Sequence, residues 1–158
     1  MHVDIVDGDL LDQDVEVIVN AWNRNLFPAW LLIPQGVSGA IRKRGGREPF
    51  RDLRKHGLLP LGGAVETGAG SLPFKAIIHV AGINLLWTAT KYSIQQSVRS
   101  AMEIIDGKGY RSVAFPVIGS GSGSRSREKA MAYMIEAFGT LNSGASARIV
   151  RYDRPTLA

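Results

Sequence analysis

The sequence predicts an α/β sandwich built on a largely parallel sheet, and three observations carry that expectation. After residue 60, apolar runs of strand length alternate with longer segments whose apolar residues recur at helical spacing. Polar or glycine-rich punctuation follows the apolar runs, which is where open α/β sheets take their ligands. The 158 residues contain no internal repeat and no dividing linker, so residues 1–158 read as one domain large enough to bury a single core.

In chain order, Val3-Asp4-Ile5-Val6 alternates like an edge or half-buried strand, and Asp7-Gly8-Asp9-Leu10-Leu11 is a turn with two carboxylates. Val15-Glu16-Val17-Ile18-Val19 is a strong strand ending in Asn20-Ala21-Trp22-Asn23. Asn20 and Asn23 either build a turn or meet ribose hydroxyls, since an amide both donates and accepts. Phe27 to Pro34 is apolar, bounded by proline, and reads as an irregular segment packed on the body. Gln35 to Ile41 enters a helix with Ser38 as N-cap, and Gly45-Gly46 stops it. Pro49 to His56 forms a second short helix closed by Gly57.

Ala64 to Thr67 and Lys75 to Ala81 follow as strands, the second of them buried. Ile94, Val98, Ala101, Met102 and Ile105 mark one helix, with Ser93 and Gln96 as its capping box. Arg111 to Phe115 is a buried strand. Ser126 to Lys129 opens a helix with Ala130, Met131, Met134, Ile135 and Phe138 on one face, and Ala147 to Tyr152 is the last strand.

Composition narrows the function. With 45% hydrophobic and 21% charged residues the chain is ordinarily globular, and no apolar run approaches the length of a membrane span. The acidic, strand-like N-terminus is unlike a signal peptide. The absence of cysteine excludes disulfides and thiolate chemistry and fits a cytoplasmic protein. The net charge of +5 favours anionic partners. Arg42, Lys43, Arg44, Arg47, Arg51, Arg54 and Lys55 concentrate that charge, as a solvated helix face, a phosphate-steering surface or a nucleic-acid contact.

The most informative stretch is Phe115-Pro116-Val117-Ile118-Gly119-Ser120-Gly121-Ser122-Gly123-Ser124. A strand, a glycine-rich turn and a helix start gather main-chain N–H groups and the positive end of a helix dipole around an anion. The plainer reading of such a run is a flexible linker, against which the flanking apolar strand and helix argue. The run lacks the Lys-Ser/Thr pair of a Walker loop, and its G-x-G-x-G spacing is not the dinucleotide fingerprint. His2, His56 and His79 have no metal-like spacing, and His79, inside an apolar strand, reads as a hydrogen-bonded core histidine. There is no G-x-S-x-G elbow. Trp22, Trp30 and Trp87 stack on a base or, more simply, pack. Tyr152, ending the last strand, comes near Asp9 if the sheet edges fold together, and the Asp9 carboxylate could accept from an adenine amine.

In this order the motifs resemble the macrodomain family of ADP-ribose-binding modules. Gly8-Asp9-Leu10 matches its early G-D-I/L motif, and Val17-Ile18-Val19-Asn20-Ala21-Trp22-Asn23 its I-V-N-A-x-N strand end. Gly36-Val37-Ser38-Gly39-Ala40-Ile41 matches its G-V-x-G-A-I segment. Gly63 to Thr67, Ile77 to Gly82 and Phe115 to Gly121 match the middle strands and second phosphate loop. The resemblance implies a three-layer α/β/α sandwich with a mixed, largely parallel sheet. It implies ADP-ribose in a cleft at the sheet's crest, with Asp9 on the adenine amine, Leu10 beside it and Tyr152 packed on the ring. Asn23 would contact the distal ribose, and Gly36, Val37, Ser38 and Gly39 with Ile118, Gly119, Ser120, Gly121, Ser122, Gly123 and Ser124 would hold the diphosphate.

The expected partners are ADP-ribose or an ADP-ribosylated protein or nucleic acid. No membrane, cofactor or metal is expected, and the chain is expected to be a monomer. The expected activity is hydrolysis of mono-ADP-ribosyl linkages. Asn23 and Ser38 are the candidate catalytic residues. The alternatives are a non-catalytic reader of ADP-ribose and a basic nucleic-acid-binding domain. Three features depart from the family pattern. Pro34-Gln35-Gly36 stands where many members have three glycines, Ser38 stands at a position often acidic in hydrolytic members, and Ser122-Gly123-Ser124 stands where an aromatic is common. Serine is a poor general base. Glu48 or Asp52 could supply a base if the basic helix folds back over the cleft.

Overall fold

A computed structural model describes residues 1–25, 36–83, 88–120 and 124–152, with backbone alone for 124–126. The segments around Trp30 and Trp87, and Gly121, Ser122 and Gly123, lie outside the described residues.

Six strands form one sheet: β1 (Asp4–Asp7), β2 (Val17–Trp22), β3 (Ala64–Thr67), β4 (Ala76–Ala81), β5 (Ser112–Pro116) and β6 (Ser146–Arg151). Their spatial order is β1-β6-β5-β2-β4-β3. All neighbours run parallel except β3, which lies antiparallel on β4, so the sheet is mixed as expected. The helices are α1 (Gly36–Gly45), α2 (Glu48–Lys55), α3 (Lys91–Lys108) and α4 (Ser124–Gly139).

Strand alternation sorts the core into two faces. Val17, Val19, Ile78 and Val80 pack with Ile94, Val98 and Ile105 of α3 and Met134 and Phe138 of α4. Ile18, Trp22, Ile77 and Ala81 turn the other way, onto Ile41 of α1 and Phe50 and Leu53 of α2. Both faces of the central strands are therefore covered, which is why β2, β4 and β5 read as continuous apolar runs. The result is the three-layer sandwich. Among the described residues, no helix is long and apolar enough to cross a membrane, and no cluster of His, Cys, Asp or Glu could hold a metal ion.

Several local expectations shift. Strand β2 begins at Val17 rather than Val15, and at its foot the Glu16 carboxylate accepts from Lys75 Nζ at 2.7 Å and from the Arg111 N–H at 2.7 Å. Ser38 is not an N-cap. Helix α1 already starts at Gly36, where φ is +58°, and the Ser38 side chain turns into the core. The capping box of α3 lies three residues earlier than expected. Thr90 Oγ1 accepts from the Ser93 N–H, and Ser93 Oγ from the Thr90 N–H. Gly109, at φ +72°, ends that helix.

Candidate functional site

The connections leaving β2 and β5 diverge. From β2 the chain passes through α1 and α2 to β3 and β4 on one side, and from β5 through α4 to β6 on the other. Because β2 and β5 are parallel neighbours, both connections leave the same sheet edge, toward opposite faces. Such a switch point leaves a crevice beyond the strand ends, the usual ligand position in an open α/β sheet. Residues 118–120 directly follow β5 at that edge, and Ser38, at the start of α1, reaches Asn20 Oδ1 and the Ala21 carbonyl near the end of β2.

Along that edge the remaining candidates fall in a row. Asp9 follows β1, Tyr152 follows β6, Gly119 and Ser120 follow β5, and Asn23 follows β2. Adjacent strands lie ~4.8 Å apart, so β1 and β2, three steps away, are separated by ~14 Å. Asp9 and Tyr152 come together simply because β1 and β6 are neighbours, tied by Gly8 N–H donating to Arg151 C=O at 2.9 Å.

Each side chain is held by identifiable contacts. The half-exposed Asp9 accepts from the Leu11 N–H at 2.8 Å through Oδ1, opening the single 3₁₀ turn Leu10–Asp12. Its Oδ2 faces Arg44 Nη1 at 3.8 Å, and the same guanidinium donates to Asp12 at 3.1 Å. Arg44, from the basic cluster, is a neighbour that the sequence did not disclose. Leu10 is buried in the α1/α2 core rather than lying open beside a ring. Tyr152 is exposed. Arg127 donates to its carbonyl at 3.4 Å.

Asn23 is nearly buried and accepts from the Asn25 N–H at 2.7 Å in an Asx turn. Asn25 Nδ2 in turn donates to the carbonyls of Leu53 and Gly57, so the end of β2 is tied to the end of α2. Among the described residues Asn23 Nδ2 has no hydrogen-bond partner, which leaves its donor available. In the second loop Ile118 turns inward. It is fully buried and its N–H donates to Met134 Sδ at 3.5 Å, so it anchors the loop rather than lining it. Gly119 has φ +86°, and a Cβ there would lie 2.7 Å from Ala89 Cβ. Ser120 Oγ donates to the Val117 carbonyl at 2.9 Å.

Asn20 departs from expectation. It is wholly buried, and both ends of its amide are engaged by protein: Oδ1 accepts from Ser38 Oγ at 2.8 Å, and Nδ2 lies 3.0 Å from His79 Nδ1. It braces the site from beneath rather than meeting a ribose. His79 is the hydrogen-bonded core histidine expected, with Nε2 2.8 Å from Thr67 Oγ1. Burial, reinforced weakly by His56, pushes its pKa down to about 3, so the ring is neutral at physiological pH. Ser38 itself, 6% exposed, turns its hydroxyl to the Asn20 amide oxygen at 2.8 Å and the Ala21 carbonyl at 3.5 Å, neither of them a carboxylate. Neither proposed base replaces one. Asp52 is bound to Lys55 Nζ at 2.9 Å, a hydrogen bond that lowers its pKa and weakens it as a base. Glu48 opens α2, at the end opposite the one that Asn25 ties to the site.

The family model "Macro domain" matches residues 19–134 of this chain. A macro domain-containing protein of Caldanaerobacter subterraneus is 31% identical over 158 residues, covering 95% of this chain and 86% of that protein. A protein of Citrobacter koseri named O-acetyl-ADP-ribose deacetylase is 36% identical over 129 residues, covering 77% of this chain and 69% of that one. Among solved structures, the Oceanobacillus iheyensis macrodomain with ADP superposes with a TM-score of 0.79 at 28% identity, covering 94% of this chain and 82% of that chain. A G37V mutant of the same macrodomain, solved with ADPR, gives 0.78 at 28% identity, covering 92% and 82%. With a family match over most of its length and a relative 31% identical along most of both chains, this chain belongs to the macro domain family.

Proposed function

We propose that this chain binds ADP-ribose along the carboxyl edge of its sheet and hydrolyses the bond joining the distal ribose to a conjugated group, foremost the mono-ADP-ribosyl linkage on a modified substrate. The observation that carries this reading is the order of groups along that edge. An acid and an aromatic stand at β1 and β6, two glycine-bearing turns at β5 and α1, and an amide donor at the end of β2. That is the order of base, diphosphate and distal ribose in the ligand.

Asp9 accepts from the adenine amine, with Tyr152 against the ring. The backbone N–H groups of residues 36–39 and 119–124 carry the diphosphate, helped by the amino-terminal ends of α1 and α4. Asn23 Nδ2 donates to the distal ribose or to a water beside it. In hydrolysis that water's oxygen bonds to the anomeric carbon, the bond to the conjugated group breaks, and the water's proton passes by way of a diphosphate oxygen to the leaving group. A relative named O-acetyl-ADP-ribose deacetylase supports hydrolytic chemistry on an ADP-ribose conjugate, there with water attacking the acetyl carbon and the ribose oxygen leaving. One observation favours the non-catalytic reader: Ser38, at the position often acidic in hydrolytic members, pairs with Asn20 rather than with an acid.

Calorimetry with ADP-ribose, alongside incubation with mono-ADP-ribosylated protein and with O-acetyl-ADP-ribose, tests the proposal. Binding with release of ADP-ribose supports hydrolysis. Binding with both conjugates left intact makes the chain a reader. Failure to bind, with salt-sensitive retention on nucleic acid instead, overturns both in favour of the basic face of α1 and α2.

A further inference from the structure

The buried polar groups beneath the site form one continuous chain, and their chemistry sets its direction. Ser38 of α1, Asn20 of β2, His79 of β4 and Thr67 of β3 lie on the sheet face covered by α1 and α2, and each is at most 6% exposed. Consecutive members are 2.8, 3.0 and 2.8 Å apart. Phe50 closes over the middle, its ring 6.1 Å from that of His79 and 5.3 Å from that of Trp22, so water does not compete for these groups.

The direction follows from the far end. Thr67 Oγ1 donates its single proton to the Gly68 carbonyl at 3.0 Å, so toward His79 it offers a lone pair. With the Thr67 proton on the Gly68 carbonyl, His79 Nε2 carries the ring proton and donates it to Thr67 across 2.8 Å. A neutral ring protonated at Nε2 has a bare Nδ1, which accepts from Asn20 Nδ2. The Asn20 amide is thereby oriented with Oδ1 toward α1, where at 2.8 Å it accepts the Ser38 hydroxyl proton ahead of the Ala21 carbonyl at 3.5 Å. Every proton in the chain points from the site into the core.

We propose that Thr67 and His79 act through Asn20 as positioning residues that turn the Ser38 hydroxyl proton inward, so that Ser38, in the first turn of α1, can meet a ligand only as a hydrogen-bond acceptor, selecting a donor such as a distal-ribose hydroxyl. The ligand contact rests on the ADP-ribose reading above; the direction of the chain does not. Reversal would need Thr67 to donate to Nε2, Nδ1–H to donate to Asn20 Oδ1, and Asn20 Nδ2 to donate to Ser38. The Ser38 proton would then point outward and select an acceptor. Polarity at the site is thus decided three residues away from the ligand.

Long-range ¹⁵N–¹H spectra of the imidazole at neutral pH read the chain directly. The expected result is one neutral Nε2–H tautomer for His79; an Nδ1–H tautomer overturns the proposal. Affinity for ADP-ribose and for ADP, which lacks the distal ribose, is measured on wild type, Thr67→Val and Thr67→Ser. Thr67→Val is expected to weaken ADP-ribose about tenfold, the scale of one hydrogen bond, and to leave ADP unchanged, with Thr67→Ser restoring wild-type behaviour. Equal losses for both ligands, or no loss for either, overturns the positioning role. If the wild-type chain fails to bind ADP-ribose, the functional reading and the ligand contact fall together, while the tautomer still decides the direction of the chain.

Discussion

Asn20 and His79 sit opposite one another on the neighbouring parallel strands β2 and β4, and their side chains meet at 3.0 Å inside the sheet. Both are wholly buried, so the pair places two polar groups in a layer otherwise made of Ile18, Ile77, Phe50 and Leu53. Burial on this scale is tolerated only when each polar atom is satisfied. Asn20→Ala deprives both Ser38 and His79 of a partner, and the expected loss is about 2–4 kcal/mol of unfolding free energy. The midpoint and slope of a urea titration check it. A loss below ~0.5 kcal/mol would mean that the amide contributes little to the fold.

His79 also sets an acid limit. Its pKa falls from 6.5 when unfolded to about 3 in the folded chain, because burial opposes the charge. The native state then binds fewer protons than the unfolded chain throughout that window. Stability is full above pH 6.5 and declines as pH falls toward 3. His79→Gln cannot titrate, and its stability curve is expected to be flatter across this range. Chemical denaturation at a series of pH values compares the two.

Glu16 acts lower on the scale. The Arg111 N–H and then Lys75 hold its pKa down from 4.5 to about 2. A depressed carboxylate stabilises the fold above its unfolded value, and that contribution disappears as pH falls from 4.5 to 2. Glu16→Gln is expected to lower stability at neutral pH and to remove this part of the acid transition. A stability difference between Glu16→Gln and wild type that does not shrink on acidification would count against the assignment.

Gly119 combines a positive φ with a blocked Cβ position against Ala89. Gly119→Ala is expected to cost about 1–3 kcal/mol in strain and to weaken ADP-ribose binding by displacing the second turn. Thermal unfolding and calorimetry read the two effects separately. Unchanged affinity would remove this turn from the diphosphate site.

Asp9 offers a division between structure and binding. Asp9→Asn keeps an oxygen to accept from the Leu11 N–H, whereas Asp9→Ala loses that cap, worth about 1 kcal/mol. Both variants lose the carboxylate proposed for the adenine amine, so both are expected to bind ADP-ribose tenfold to a hundredfold more weakly. If Asp9→Asn binds as tightly as wild type, the carboxylate has no role at the base.

Much of the architecture was legible because apolar period and glycine punctuation are local properties. The runs around Ile18, Ile78 and Phe115 are apolar because both sides are covered, and a chain-order reading finds such segments without knowing their neighbours. The turn after β5 at Gly119 was equally visible, as was the burial of His79. Element ends were less legible. Helix α1 starts two residues before Ser38 because that hydroxyl bonds Asn20 on a distant strand instead of its own helix.

The sequence by itself determined an α/β fold and the stretches that form its turns, and it marked Asp9, Asn23 and two glycine-bearing segments as candidates for one ligand. Only the tertiary structure decided which of these share an edge. It placed β1 beside β6 and β2 beside β5, brought Arg44 to Asp9, and turned Asn20, Leu10 and Ile118 inward. The physical reason is that side-chain periodicity records burial but not the identity of the neighbour. Strand order, and the hydrogen-bond partners that follow from it, depend on contacts between residues far apart in the chain, as Asn20 and His79 are.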